Sequence, residues 1–182
     1  MDEQLAFVHL IATRLDDADI PYMVTGSMAL AVYAVPRMTR DIDLVVEYRP
    51  QDAVRLADLF AGDCYVDTDS VRQAADQRGM FNIIHNEWLI KADFIVRKDE
   101  AYRKTEFARR CQIEIGGMPI AVVAPEDLVL SKLHWAKDSA SELQQRDVRQ
   151  ILESVTDLDM SYIEKWAIEL GVDELLQKAR TS

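Results

Sequence analysis

Cysteine is scarce in this chain. Cys64 and Cys111 are the two among 182 residues, and they lie far apart without the paired spacing of a thiolate metal centre. A disulfide framework has no material here, and a reduced, cytoplasmic setting is expected. Histidine is nearly as rare, and His85 and His134 are isolated, which suits packing or solvent exposure better than metal ligation. Positive charge is in deficit. Lys and Arg total 21 against 32 Asp and Glu, a net charge of −11, which speaks against nonspecific binding of nucleic acid over the whole surface. A local basic stretch remains in Arg97-Lys98, Arg103-Lys104 and Arg109-Arg110, read as a solvated face or a restricted patch. Basic residues interleaved with aromatics, the mark of an RNA-binding motif, are missing. No apolar run approaches the roughly 20 residues that span a bilayer, so no membrane partner is expected. The start, Met1-Asp2-Glu3-Gln4, is acidic and lacks the basic opening of a signal peptide. Repeats, low-complexity tracts and flexible linkers are absent too.

The stretch from Gly26 to Glu47 is the most informative part of what is there. Tyr22 to Thr25 reads as a short strand, Gly26-Ser27 follows it, and a helical run begins at once. Gly26 permits close backbone approach, and a helix start just behind it offers free N–H groups to an anion such as a phosphate. After thirteen intervening residues, Asp41-Ile42-Asp43 opens a second strand through Val46. Side chains alternate along a strand, so Asp41 and Asp43 share one face while Ile42 and Leu44 share the other. Two carboxylates on one face repel unless a cation sits between them. Such hard oxygen ligands suit Mg²⁺ (or Mn²⁺), which borrows further oxygens from a substrate phosphate. Asp-x-Asp alone is also compatible with solubilising charge on a strand edge. The Gly-Ser turn and helix ahead of it favour a nucleoside-triphosphate site.

The remaining chain alternates in type up to residue 123 and is helical afterwards. Helices are expected at Glu3 to Leu15 with Asp2 as cap, at Pro50 to Phe60, at Asp69 to Gln77 capped by Asp69 or Ser70, and at Glu100 to Cys111. Strands are expected at Tyr65-Val66, Phe81 to His85 and Trp88 to Val96, the last two joined by a tight Asn86-Glu87 hairpin. Gln112 to Ile115 and Pro119 to Val123 flank a Gly116-Gly117 turn. Helices then follow from Pro125 to about Ala136, from Ser141 or Glu142 to Leu152, from Tyr162 to Leu170 capped by Ser161, and from Val172 to Ala179. Asp93 stands inside an apolar strand, where a carboxylate is costly unless paired or bound to metal.

Gly-Ser, a thirteen-residue spacer and Asp-x-Asp before an apolar strand resemble the DNA polymerase β-type nucleotidyltransferase superfamily. Pro36-Arg37-Met38-Thr39-Arg40-Asp41 most resembles its AbiEii-type branch, although Ala34-Val35 stands where a glycine is often found. Ala124 to Leu133, Ala-Pro-Glu-Asp-Leu-Val-Leu-Ser-Lys-Leu, and Gln145-Arg146-Asp147-Val148 are similar to further segments of AbiEii-like proteins. The resemblance implies an α+β fold: a nucleotidyltransferase core, residues 1–123, with a mixed sheet flanked by helices, and a packed C-terminal helical subdomain, residues 124–182. It implies a third metal carboxylate at Asp93, and a nucleotide-binding Lys132 oriented by Asp147.

The expected chemistry is transfer of an NMP from an NTP to a hydroxyl acceptor. Asp41, Asp43 and Asp93 are the catalytic and metal-binding candidates; Gly26, Ser27, Lys132 and Asp147 are the nucleotide-binding ones. Protein, RNA and small-molecule acceptors all fit. A protein of toxin–antitoxin type, with a cognate partner protein, belongs among the readings, as do a drug-modifying transferase and a non-catalytic nucleotide-binding or antitoxin-like module that kept the fold.

Overall fold

The computed structural model describes residues 3–36, 41–139 and 141–181. Arg37 to Arg40 of the motif, and the expected Asp2 cap, lie outside the described residues. Within them the chain runs α1 (Glu3–Asp17), β1 (Tyr22–Thr25), α2 (Gly26–Tyr33), β2 (Ile42–Val46), a 3-10 turn (Pro50–Asp52) leading into α3 (Ala53–Asp58), β3 (Cys64–Tyr65), α4 (Thr68–Gln77), β4 (Met80–His85), β5 (Lys91–Val96), α5 (Ala101–Ala108), β6 (Cys111–Ile115) and β7 (Met118–Val122). Then come α6 (Pro125–Ser139), α7 (Glu142–Ser154), α8 (Met160–Leu170) and α9 (Asp173–Thr181). The strands form one mixed sheet in the order β3-β4-β5-β2-β1-β7-β6. β2 runs parallel to β5 and antiparallel to β1, and β1 runs parallel to β7.

Period-two alternation gives the sheet two unlike faces. Val24, Leu44, Phe94 and Phe81 stand side by side in one cross-strand row, and all are buried. Phe60, just beyond α3, meets Phe94 edge-on with centroids 5.8 Å apart, and Phe81 stacks on Phe94 at 5.0 Å. This is the apolar face. One residue along, the opposite face carries the row Thr25, Asp43, Asp93 and Asn82. The same alternation that buries Leu44 and Phe94 therefore brings the two aspartates side by side.

Residues of α6 face that polar row across a cleft, and the N-terminus of α6 is firmly tied down. Asp127, fully buried, accepts from Arg109 Nε at 2.9 Å and from Tyr162 Oη at 2.6 Å. Glu126 accepts from Arg109 at 3.0 Å and from the Asp159 backbone N–H at 3.1 Å. The Pro-Glu-Asp segment thus joins α5, α6 and α8. Its acidic residues anchor the helix and take no part in lining the cleft.

Local differences from expectation have local causes. The β4–β5 connection takes five residues, because Leu89 adopts φ 52° and Trp88 folds back to stack on His85 at 3.9 Å. His85 is accordingly a packing residue. The α4 cap is Asp67, whose carboxylate accepts from the Asp69 N–H and the Ser70 hydroxyl. The α8 cap is Asp159, which accepts from the Tyr162 N–H. Both caps are acidic side chains two residues upstream of a cap position expected from sequence. α5 stops at Ala108, so Cys111 begins β6. The basic stretch is largely neutralised by Arg97 with Glu47, Arg103 with Glu106, and Arg109 with Glu126 and Asp127.

Candidate active site

β1 ends at Thr25, and the chain turns at once into α2 through Gly26, whose φ of 62° is in the left-handed region. A Cβ at Gly26 would overlap the carboxylate of Asp43. Glycine is therefore required here for a reason the sequence does not reveal: it makes room for the catalytic candidate on the neighbouring strand. Ser27 is buried in the first turn of α2.

Asp43 and Asp93 are direct register partners on parallel strands, and Asp41 precedes β2 on the face of Asp43. Burial, followed by the charges of Asp93 and Asp41, pushes the Asp43 carboxyl above its ordinary pKa, with Lys132 and Lys91 opposing. Asp93 is more deeply buried. Its Oδ2 accepts from Lys91 Nζ at 2.7 Å, while Oδ1 has no hydrogen-bond partner. Lys91 also lies 3.9 Å from Asp41 Oδ1. The hydrogen bond to Asp93 leads the interactions that hold the Lys91 ammonium above its ordinary pKa.

Lys132 projects from α6 and is 4% exposed. It donates to Asp147 Oδ2 of α7 at 2.6 Å and to Gln144 Oε1 at 3.2 Å. Thr25, Gly26, Ser27, Asp41, Asp43 and Lys132 all line one cavity of about 310 Å³. Asp147 stands behind Lys132 and fixes its position. A second cavity of about 380 Å³ shares Thr25, Ile95, Ser131 and Trp135 with the first and continues between β5, α5 and α6. His134 lines this second cavity.

The fold therefore assembles all seven candidate residues, and the donor set suits a hard divalent ion in its chemistry: carboxylates, one with a bare buried oxygen. It does not gather them around a single point. Among the described residues no group of three or more His, Cys, Asp or Glu forms a ready metal cage, and Lys91 stands between Asp41 and Asp93. Four contributors escaped the sequence reading. Lys91 was within reach of it, since a residue two before Asp93 must share its strand face. Thr25, Gln144 and Trp135 had no comparable signal, because their relevance comes from β1–β2 register and from the approach of α6 and α7.

A mixed sheet with paired strand carboxylates facing a buried lysine defines a nucleotidyltransferase of the polymerase β-type superfamily. More specifically, the chain belongs to the aminoglycoside-2''-adenylyltransferase family, whose profile matches residues 7–150. No curated protein matches it in sequence. Among solved structures it is similar to the antibiotic-resistance factor ANT(2'')-Ia, at 18% identity over 99% of this chain and 98% of that one, with a TM-score of 0.60. It is similar to an antigenic nucleotidyltransferase-like protein from Paracoccidioides brasiliensis, at 18% identity over 98% and 92%, with a TM-score of 0.59. The lincosamide antibiotic adenylyltransferase LnuA, bound to lincomycin, matches at 11% identity over 85% and 98%, with a TM-score of 0.55. At these identities the likeness is one of fold. The superfamily expected from sequence stands, as does the enzyme class; the comparisons do not single out the AbiEii-type branch. No helix among the described residues is long and apolar enough to cross a membrane.

Proposed function

We propose that this nucleotidyltransferase moves an adenylyl group from ATP to a hydroxyl of a small, amine-bearing molecule, with Mg²⁺ or Mn²⁺. The observation that carries the reading is the convergence of Gly26, Ser27, Asp41, Asp43 and Lys132 on one cavity, with Asp93 in register beside Asp43. The family match favours an adenylyl donor and a drug-like acceptor. The net charge of −11 favours a cationic acceptor, which an acidic surface attracts from a distance.

Asp41 and Asp43 would hold a divalent ion, which would supply charge neutralisation at the triphosphate. The backbone and hydroxyl at Gly26-Ser27 bind its terminal phosphates. Lys132, held by Asp147, offsets charge developing on the departing pyrophosphate. The acceptor, seated in the adjoining cavity, forms its O–P bond at the α-phosphorus as the bond to pyrophosphate breaks. Its proton leaves to the carboxylate of Asp93, the register partner of Asp43. In this reading the 1–123 core supplies the carboxylates and the 124–182 helical unit supplies the facing lysine. The free thiols of Cys64 and Cys111 agree with a cytoplasmic enzyme.

The test is incubation of the full chain with Mg²⁺, each of the four labelled NTPs and three acceptor pools: aminoglycosides and lincosamides, total RNA, and cell protein. Transfer of AMP to the small-molecule pool is expected. Label entering RNA or protein instead would move the acceptor to the toxin–antitoxin-type version of the same chemistry, the AbiEii-like one. Mg²⁺-dependent ATP binding with no pyrophosphate release from any pool would overturn the proposal.

A further inference from the structure

We propose that the Lys91 ammonium serves as the second cation of this active site, neutralising Asp93 so that one divalent ion, on the Asp41–Asp43 side, suffices. The inference rests on the nucleotidyltransferase reading above and deepens it. Lys91 and Asp93 are two residues apart on β5 and share its polar face, so the tether itself delivers the ammonium to the carboxylate. The contact is 2.7 Å to Asp93 Oδ2, with Asp41 Oδ1 3.9 Å away on the other side. The Asp93 side chain is 11% exposed, and a carboxylate so buried needs a positive neighbour. Asp43 stands beside it in register and adds repulsion of its own. Among the described residues Lys91 is the cation in direct contact with Asp93, and its side chain, 40% exposed, reaches the site from the solvent side.

The arrangement divides the two oxygens of Asp93. Oδ2 is held by the ammonium, and Oδ1 is buried without a hydrogen-bond partner. A second divalent ion at this position would have to displace Lys91 and take up both carboxylates. With Lys91 present that ion meets a tethered competitor at very high local concentration.

The experiment counts Mn²⁺ on the full chain by the EPR signal of the free ion, with a non-hydrolysable ATP analogue present. The parent is expected to bind one Mn²⁺ per chain. Lys91→Met, which keeps the apolar stem and loses the charge, is expected to bind two, the second at least ~10-fold tighter than any second site of the parent. Lys91→Arg is expected to stay at one. Adding Asp93→Asn to Lys91→Met is expected to abolish the second ion again, which assigns that site to Asp93. In EDTA, Lys91→Met is expected to melt below the parent and to recover with Mn²⁺. If the parent binds two ions and Lys91→Met binds them equally well, the proposal for Lys91 is wrong and the metal-dependent transferase reading survives. If the parent binds none, both readings fall together.

Discussion

Removing the charge of Asp43 while keeping its shape separates two effects. Asp43→Asn is expected to lower transfer by ~10³-fold or more, since the hard cation and the triphosphate lose a ligand whose charge is worth several kcal/mol in the transition state. Its effect on stability should have the opposite sign. The folded-state pKa of Asp43 is raised by burial and by Asp93 and Asp41, so the folded chain binds its proton more tightly than the unfolded chain. That contribution to stability is complete below the ordinary carboxylate range and is lost as pH rises through the raised value. At neutral pH without metal, Asp43→Asn should therefore melt higher than the parent, and the difference should vanish in acid. Melting curves across pH in EDTA measure this; an equal or lower melting temperature at neutral pH would remove the argument for charge crowding. Gly26→Ala should fail for a steric reason. The left-handed backbone costs a non-glycine residue ~1–2 kcal/mol, and the new Cβ would also meet the Asp43 carboxylate. Loss of activity together with a lower melting temperature is expected, whereas Ser27→Ala, which removes a single hydroxyl, should leave stability within ~1 kcal/mol.

α6 and α7 meet at the buried Lys132–Asp147 pair, both partners at most 4% exposed. Breaking such a pair from one side leaves an uncompensated buried charge. Asp147→Asn should thus cost ~3–5 kcal/mol in denaturant melts, moderated by Gln144, which also holds the ammonium. Replacing both partners by apolar residues, Lys132→Met with Asp147→Leu, should recover most of that stability. Activity should stay low in the double variant, because the Lys132 ammonium that lines the cavity with Gly26 and Ser27 is gone. If the stable double variant transfers nucleotide at the parental rate, Lys132 is a structural residue and its role in the site is lost. Arg109, Asp127 and Tyr162 do a separate job nearby, tying the start of α6 to α5 and α8.

For the molecule as a whole, the net negative charge and the two adjoining cavities make testable demands. Mg²⁺ with ATP should raise the melting temperature, by an amount equivalent to ~2.7 kcal/mol when the ligand is at about 100 times its Kd. That increase should shrink strongly in Asp43→Asn. The net charge of −11 predicts that KM for a cationic acceptor rises steeply with NaCl, while KM for a neutral one changes little. Equal salt dependence for both would show that the overall charge has no part in acceptor capture. The two adjoining cavities also predict that a bulky substitution at Ile95, which lines both, lowers kcat with ATP binding retained, measurable by comparing turnover with nucleotide-dependent melting.

The sequence by itself determined what depends on short-range pattern. Alternation in Asp41-Ile42-Asp43-Leu44 fixed which residues face solvent and which face the core, and Gly26-Ser27 between a strand and a helix marked the turn. Asp93 within an apolar strand announced a buried carboxylate. Tertiary structure alone decided the rest. The pairing of β2 with β5, residue for residue at Asp43 and Asp93, follows from packing Leu44 against Phe94, which no local signal encodes. The true need for glycine at 26 appears once a neighbouring strand delivers Asp43 to it. The acidic Glu126-Asp127 motif turned out to be an anchor because Arg109 and Tyr162 reach it from elements 17 to 35 residues away. Lys91 shares a face with Asp93 by strand geometry, but its contact with Asp41 exists only because two parallel strands lie side by side, close enough for a flexible lysine to reach across.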